Sequence, residues 1–124
     1  MDNETTILAL AALAQGTRLD VFRLLVKHEP GGLPAGEVAR QLAVPHNTMS
    51  SHLAILTRAR LVEAERQSRS VIYRANLATL REMTLFLVKD CCGGNPDLCA
   101  PLVADLTLCC EPAAKAQRKK ELLA

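Results

Sequence analysis

The sequence predicts a mainly α-helical fold that carries one small β-hairpin, and three observations lead to it. Apolar residues recur at three- and four-residue steps through most of the chain before residue 61, which is the spacing of amphipathic helices. β-branched residues then gather beside a polar turn at 66–69, as in a hairpin. A strongly apolar helix is expected after it. The 124 residues suit one domain, expected over 1–92, followed by a cysteine-containing C-terminal segment over 93–124.

Two helices are expected in the N-terminal part of the chain. The first runs from Thr5 to Ala14 and is ended by Gly16. The hydroxyl of Thr17 is the expected cap of a second helix that reaches about His28. The expected apolar face of this second helix consists of Leu19, Phe22, Leu25 and Val26.

A short helix and a tight turn come next. The run Glu29–Gly32 is typical of a loop, and the helix is expected over Ala35–Leu42, with Val38 and Leu42 buried one turn apart. The segment Ala43–His46, interrupted by a proline, then predicts a turn.

The following helix carries small polar side chains near its N-terminus. Asn47 is the expected N-cap, and the helix is expected over Thr48–Arg60. Its apolar positions are Met49, Leu53, Leu56 and Leu61. Two helices joined by a short turn indicate a helix-turn-helix, in which the second helix reads base edges. The candidate DNA-contacting residues are His46, Asn47, Thr48, Ser50, Ser51 and His52. For His52, a hydrogen bond inside the helix unit is the open alternative.

A basic β-hairpin is expected over 61–74, with its tip at Arg66, Gln67, Ser68 and Arg69. A basic hairpin directly after such a helix can lie along the phosphate backbone or insert an arginine into the minor groove. Arg66 and Arg69 are therefore further DNA-contacting candidates, with a solvated hairpin tip as the alternative. The predicted fold class becomes a winged helix-turn-helix, mainly α with a small β-hairpin wing.

The charge distribution agrees with a duplex-DNA partner. Residues 47–81 carry a net charge of +4, against −1 on each side, and all their positive charges are arginines: Arg58, Arg60, Arg66, Arg69, Arg74 and Arg81. A solvated charged face is the alternative explanation. Aromatic residues make up only 2% of the chain, too few to build the stacking surfaces that bind unpaired bases.

The last predicted helix, Leu77–Asp90, has little polar surface. In so small a chain this predicts packing against a second subunit, that is, a homodimer. The apolar run Ile7–Ala14 follows acidic residues and is too short to span a bilayer. We therefore expect a cytoplasmic protein with no membrane partner.

Three segments together resemble the ArsR/SmtB family of metal- and metalloid-responsive repressors, in particular its arsenic-responsive type. They are LAQGTRLDVFRLL at 13–25, HNTMSSHLAIL at 46–56 and RQSRSVIYR at 66–74, and the similarity covers roughly residues 5–92. The resemblance implies a homodimer that sits on an imperfect inverted repeat of operator DNA and leaves it when a thiophilic ion binds.

The chain departs from the family pattern at three places. Arg60 and Ser68 stand where the family often has glycine, before and within the wing. Many arsenic repressors carry cysteines near the start of the DNA-reading unit, whereas residues 35–60 contain none. An effector site must therefore lie elsewhere.

The candidate effector ligands are Cys91, Cys92 and Cys99. Three thiolates suit the pyramidal coordination of trivalent arsenic or antimony, and Gly93-Gly94 allows the chain to bring Cys99 back to the adjacent pair. Cys109 and Cys110 are auxiliary candidates. As(III) or Sb(III) is then the inducer, and no constitutive cofactor is expected.

Other uses of these thiols stay open. Zinc or cadmium would need a fourth ligand, vicinal thiols can form a redox switch, and buried cysteines can pack as small apolar residues. A small thiol reductase is a remote alternative, because the chain has no Cys-x-x-Cys motif and its arginines are not placed around the thiols. We expect a DNA-binding repressor and not an enzyme.

Overall fold

The computed structural model of the chain describes residues 1–88, 100–102 and 104–106. The chain divides into two compact units, Met1–Phe86 and Leu87–Ala124, and the first unit contains the helix-turn-helix and the hairpin. The predicted boundary between residues 92 and 93 lies outside the described residues and stays a prediction.

Two helices open the fold. Helix α1 spans Asn3–Leu13, and its N-terminus is capped by Asp2, whose carboxylate accepts a hydrogen bond from the Thr5 N–H at 2.7 Å. Helix α2 spans Gly16–Lys27. The expected cap Thr17 is wrong, because the side chain of Gln15 accepts from the Arg18 N–H at 2.8 Å and starts the helix earlier.

Helix α3 spans Ala35–Leu42, as the sequence predicts. It ends because Ala43 adopts a left-handed conformation with φ 54°, which lets the Val44 N–H donate to the Ala39 carbonyl at 3.0 Å. Val38 is fully buried, whereas Leu42 is only half-buried.

Helix α4 spans His46–Arg58, so both of its expected ends are wrong. The Pro45 carbonyl accepts from the Met49 N–H at 2.9 Å, which places Asn47 inside the first turn instead of at the cap. At the other end Arg60 takes a left-handed φ of 63°, and the Leu61 N–H donates to the Leu56 carbonyl at 3.0 Å. This closing bond ends the helix two residues before the expected position.

A three-stranded antiparallel sheet carries the predicted hairpin. Its strands are β1 (Leu33–Pro34), β2 (Val62–Gln67) and β3 (Ser70–Ala75), in the order β1-β3-β2. The hairpin of β2 and β3, called the wing, turns at Ser68 and Arg69 because Gln67 pairs with Ser70. The expected four-residue tip is therefore too long, since Arg66 is paired with Val71. The two-residue strand β1 is not among the predicted elements.

One apolar core holds these elements together. The expected apolar face of α4 is confirmed, because Met49, Leu53, Leu56 and Leu61 are all at most 1% exposed. On α2, Phe22 and Leu25 are buried, but Leu19 is 43% exposed, so its expected burial is wrong. Helix α4 is thus fixed from its inner side, which leaves its polar side at the surface.

Helix α5 spans Leu77–Val88, and the expected end at Asp90 lies outside the described residues. Asn76 starts it by accepting from the Thr79 N–H at 3.2 Å. Leu85 is 55% exposed, and on α1 Ile7 and Leu8 are 58% and 51% exposed. In the described part of the chain, no helix is both long and apolar enough to cross a membrane. The architecture is a mainly α fold with a small β wing, a winged helix-turn-helix, as predicted.

Candidate nucleic-acid interface

The N-terminal half of α4 presents a row of small polar side chains to solvent. His46, Asn47, Thr48, Ser50 and Ser51 are all exposed. The hydroxyls of Ser50 and Ser51 donate to the backbone carbonyls of His46 and Asn47 at 3.1 and 3.4 Å. Their oxygen lone pairs remain able to accept hydrogen bonds. The row therefore offers donors and acceptors within the first two turns of the helix, where a recognition helix contacts base edges.

His52 occupies a different environment from this row. Its side chain is half-buried, and its Nδ1 atom is buried without a hydrogen-bond partner in the described part of the chain. This nitrogen therefore does not make the internal hydrogen bond that is the alternative to DNA contact. The assignment of His52 to the interface stays a prediction.

The wing carries two arginines near its end, Arg66 on β2 and Arg69 in the turn. Arg66 and Arg69 are exposed, and neither forms a salt bridge within the ranges that the structure describes. Unpaired guanidinium groups on a projecting hairpin are suited to phosphate oxygens, which they can bind in a bidentate manner.

Arg74 differs from the other arginines of the 47–81 segment, because its guanidinium group forms ion pairs with carboxylates of the same chain. Its Nη2 and Nε atoms lie 3.2 and 3.3 Å from the two carboxylate oxygens of Glu29, and its Nη1 lies 3.7 Å from Glu65. The hydrogen bonds to Glu29 raise the pKa of Arg74 above its ordinary value. The local excess of positive charge at the surface is therefore smaller than the sequence alone indicates.

The negative charge of Glu37, the acidic residue of α3, is also balanced by an ion pair. Glu37 accepts hydrogen bonds from Arg40 and, at 3.0 Å, from the Gln41 amide. These bonds, that of Arg40 above all, lower the pKa of Glu37 to about 2. Glu37 therefore stays ionised and paired at neutral pH, in the first turn of α3.

Two exposed arginines at the C-terminal end of α4 belong to the basic 47–81 segment but are not among the DNA-contacting candidates named from the sequence. Arg58 ends α4, and Arg60 follows it. Arg60 also lines a groove of about 560 Å³ between the end of α4 and β2, together with Thr57 and Glu63. Their position at the end of the recognition helix is the signal that could have identified them.

The candidate effector ligands lie outside the described residues: Cys91, Cys92, Cys99, Cys109 and Cys110. The described ranges themselves contain no cluster of three or more histidine, cysteine or acidic side chains that could hold a metal ion. The cysteine site stays a prediction.

Comparison with known proteins agrees with this geometry. Residues 13–65 match the helix-turn-helix domain family. An ArsR-like transcriptional regulator from Rhodococcus sp. RHA1 superposes with a TM-score of 0.66 at 26% identity, covering 78% of this chain and 89% of that one. A homodimeric winged helix-turn-helix DNA-binding domain from Mycobacterium bovis gives a TM-score of 0.58 at 28% identity, with 68% and 77% covered.

Two further similar proteins have named roles. The transcriptional activator HlyU from Vibrio cholerae is 28% identical over 89 residues, which is 72% of this chain and 80% of that protein. The antimony-specific transcriptional repressor AntR has a TM-score of 0.52 at 27% identity, with 65% and 72% covered. The fold and its polar, basic face define a winged helix-turn-helix DNA-binding protein. The chain is similar in sequence and in fold to ArsR-family transcriptional regulators.

Proposed function

We propose that this regulator is a cytoplasmic, homodimeric repressor that binds an imperfect inverted repeat and leaves it when trivalent arsenic or antimony binds Cys91, Cys92 and Cys99. The observation that carries the DNA-binding part is the exposed polar row on α4 beside the unpaired arginines of the wing. No constitutive cofactor is required by this proposal.

The core geometry supports recognition by α4. Met49, Leu53 and Leu56 anchor one side of the helix in the core, so the helix and its polar row are held rigidly. The major groove admits one α-helix. With α4 in that groove, the wing is available to contact the backbone through Arg66 and Arg69.

The surface of α1 supports a dimer. This helix buries the small residues Thr6, Ala9 and Ala12, whereas the larger Ile7 and Leu8 are exposed. A helix of an isolated domain would bury its large side chains, because burial of an Ile or Leu side chain stabilises by about 1.5–3 kcal/mol. A second copy of the chain would cover this surface and present two recognition helices to the two half-sites.

The position of the cysteines supports their coupling to DNA binding. Cys91 and Cys92 come three and four residues after the end of α5, a helix with the exposed Leu85. An ion bound there can change the packing between subunits, and it weakens DNA binding only if it prefers the DNA-free conformation. A coupling of about 1–3 kcal/mol is typical of such linkage. The similarity to an antimony-specific repressor favours a metalloid as the ion.

Fluorescence anisotropy on the chain's own upstream DNA tests the proposal. The reduced protein is titrated with trivalent arsenic, and then with zinc, as wild type, as Cys91→Ser and as Cys110→Ser, which removes only an auxiliary candidate ligand. We expect arsenic to release the wild type and Cys110→Ser but not Cys91→Ser, with zinc releasing none of them. Release by zinc or an oxidant alone would make the effector wrong and leave the DNA-binding part intact, whereas absence of DNA binding would contradict the whole proposal.

A further inference from the structure

Arg74 connects the wing to the helical part of the fold. It lies on β3, whereas its main partner Glu29 lies in the loop after α2, 45 residues earlier in the chain. The contact is bidentate, with both Glu29 oxygens used at 3.2 and 3.3 Å. The Glu29 side chain is 15% exposed and that of Arg74 is 34% exposed. Two parallel hydrogen bonds between a guanidinium and a carboxylate fix the relative orientation of the two groups as well as the distance between them.

The same loop is packed directly on β3. Gly32 has φ +74°, and a Cβ placed there would lie 2.6 Å from the Tyr73 carbonyl oxygen and 2.6 Å from Cγ of Arg74. Leu33 and Pro34 then pair with β3 as strand β1. The loop, β1 and the Glu29 carboxylate thus all hold the wing at its base.

The turn of the wing is far from this anchor. Arg74 pairs with Glu63, and the last pair before the turn is Gln67 with Ser70. These pairs are four residues apart along the strand, and β1 pairs with β3 as far as Ile72, two residues from Ser70. The free end of the wing is therefore about 7 Å long at about 3.3 Å per residue, and a tilt of about 5° at Ile72 moves the turn by about 0.6 Å. A change in the orientation of β3 at Arg74 therefore changes the position of Arg69.

We propose that Glu29 and Arg74 are positioning residues for the wing: their ion pair sets the angle at which the hairpin leaves the helical body and so orders Arg66 and Arg69 for phosphate contact. Arg74 itself touches no phosphate. The inference rests on the proposed DNA binding. Loss of the pair leaves the tip contacts available, but the wing must then be ordered during binding, which lowers affinity.

The substitution Glu29→Gln distinguishes positioning of the wing by the ion pair from a change in the net charge of the protein. Removing a negative charge makes the protein more basic, and on electrostatics alone it would bind DNA more tightly. It would also free Arg74 if that guanidinium were a phosphate contact. Loss of wing positioning predicts the opposite sign, namely weaker binding.

Anisotropy with the full-length reduced protein on its upstream duplex, at about 0.15 M salt, is the test. We expect Glu29→Gln and Arg74→Lys each to weaken binding about 3- to 10-fold, since Lys lacks the bidentate fork. The control Asp20→Asn, which removes an exposed carboxylate from α2, should bind at least as tightly as the wild type. In a background with Arg66→Ala and Arg69→Ala, where the wing has no tip contacts to order, Glu29→Gln should change Kd less than about twofold.

Two results would overturn the inference while the proposed function stands: Glu29→Gln binding as tightly as wild type, or an equal loss in the background without the tip arginines. The second result would assign the effect to general stability, which unfolding curves of the same variants report directly. Failure of the wild type to bind any DNA overturns both proposals.

Discussion

Within the ranges that the structure describes, three non-glycine residues adopt left-handed backbone conformations, and each follows the end of a helix or strand. Ala43 has φ 54° after α3, Arg60 has φ 63° after α4, and Ser68 has φ 58° in the wing turn. A Cβ in this region costs roughly 1 kcal/mol for an L-residue. Arg60 and Ser68 are also the two positions at which the sequence departs from the glycines of the family pattern it resembles, and both adopt the conformation that glycine adopts most easily.

The substitution Ala43→Gly is expected to stabilise the protein by about 0.5–1 kcal/mol, because glycine adopts a positive φ without steric cost. Ala54→Gly is the matched control, since it makes the same change at an exposed site inside α4 and should destabilise by about 1 kcal/mol. Urea unfolding at one fixed protein concentration measures both. A loss of stability in Ala43→Gly as large as that in Ala54→Gly would contradict a left-handed Ala43.

At the scale of elements, the recognition helix and the wing contribute differently to DNA binding. Asn47 is exposed on α4, and its Oδ1 accepts only a local bond from the Thr48 N–H, at 3.1 Å, in the described part of the chain. Its amide can therefore turn toward a base edge. Arg69 lies in the wing turn without an ion pair among the described residues, which favours contact with phosphates that are the same in every sequence.

We expect Asn47→Ala to cost about 1–3 kcal/mol on the operator and little on an unrelated duplex. Arg69→Ala should weaken binding to both duplexes and lower the slope of log Kd against log salt concentration by about one. Anisotropy titrations of both variants, on both duplexes and at several salt concentrations, measure these quantities. Equal losses of Asn47→Ala on the two duplexes would remove it from base recognition.

The sequence predicts these elements better where local signals agree. Helix α3 is predicted to the residue, because its apolar spacing is bounded by Pro34 and a turn. The start of α4 is misplaced because Asn47 is a better intrinsic cap than Pro45, whose carbonyl nevertheless begins the helix. Strand β1 is too short to show any periodicity, and its pairing with β3 depends on tertiary contact.

In the candidate interface, too, the features set by local sequence are predictable and those set by tertiary contacts are not. The exposed row on α4 is predictable, because helical periodicity places it opposite the buried Met49 and Leu53. The engagement of Arg74 with Glu29 is not, since no local pattern relates residues 45 positions apart. The role of the cysteines stays a prediction, because all five lie outside the described residues.

At the scale of the whole molecule, the exposed apolar side chains of α1 and α5 support the proposed homodimer. Leu85 on α5 is 55% exposed and Ile7 on α1 is 58% exposed, whereas Ala9 on α1 and Met83 on α5 are buried. Exposed apolar residues grouped on a helix mark a surface for association. Leu19 on α2 is also exposed, at 43%, but it lies on neither of the two helices expected at the dimer interface.

The substitution Leu85→Glu is therefore expected to convert the dimer into a monomer, because it places a charge in an interface that must exclude water. It should leave folding intact, since the side chain is exposed within one chain. Leu19→Glu makes the same chemical change on another exposed leucine and should remain a dimer. Sedimentation velocity at micromolar concentration distinguishes the two states.

The monomer should also bind the operator at least about 100-fold more weakly, because one recognition helix reaches only one half-site. A Leu85→Glu protein that sediments as a dimer would exclude this part of α5 from the interface, and weakening of the dimer by Leu19→Glu would extend the interface to α2.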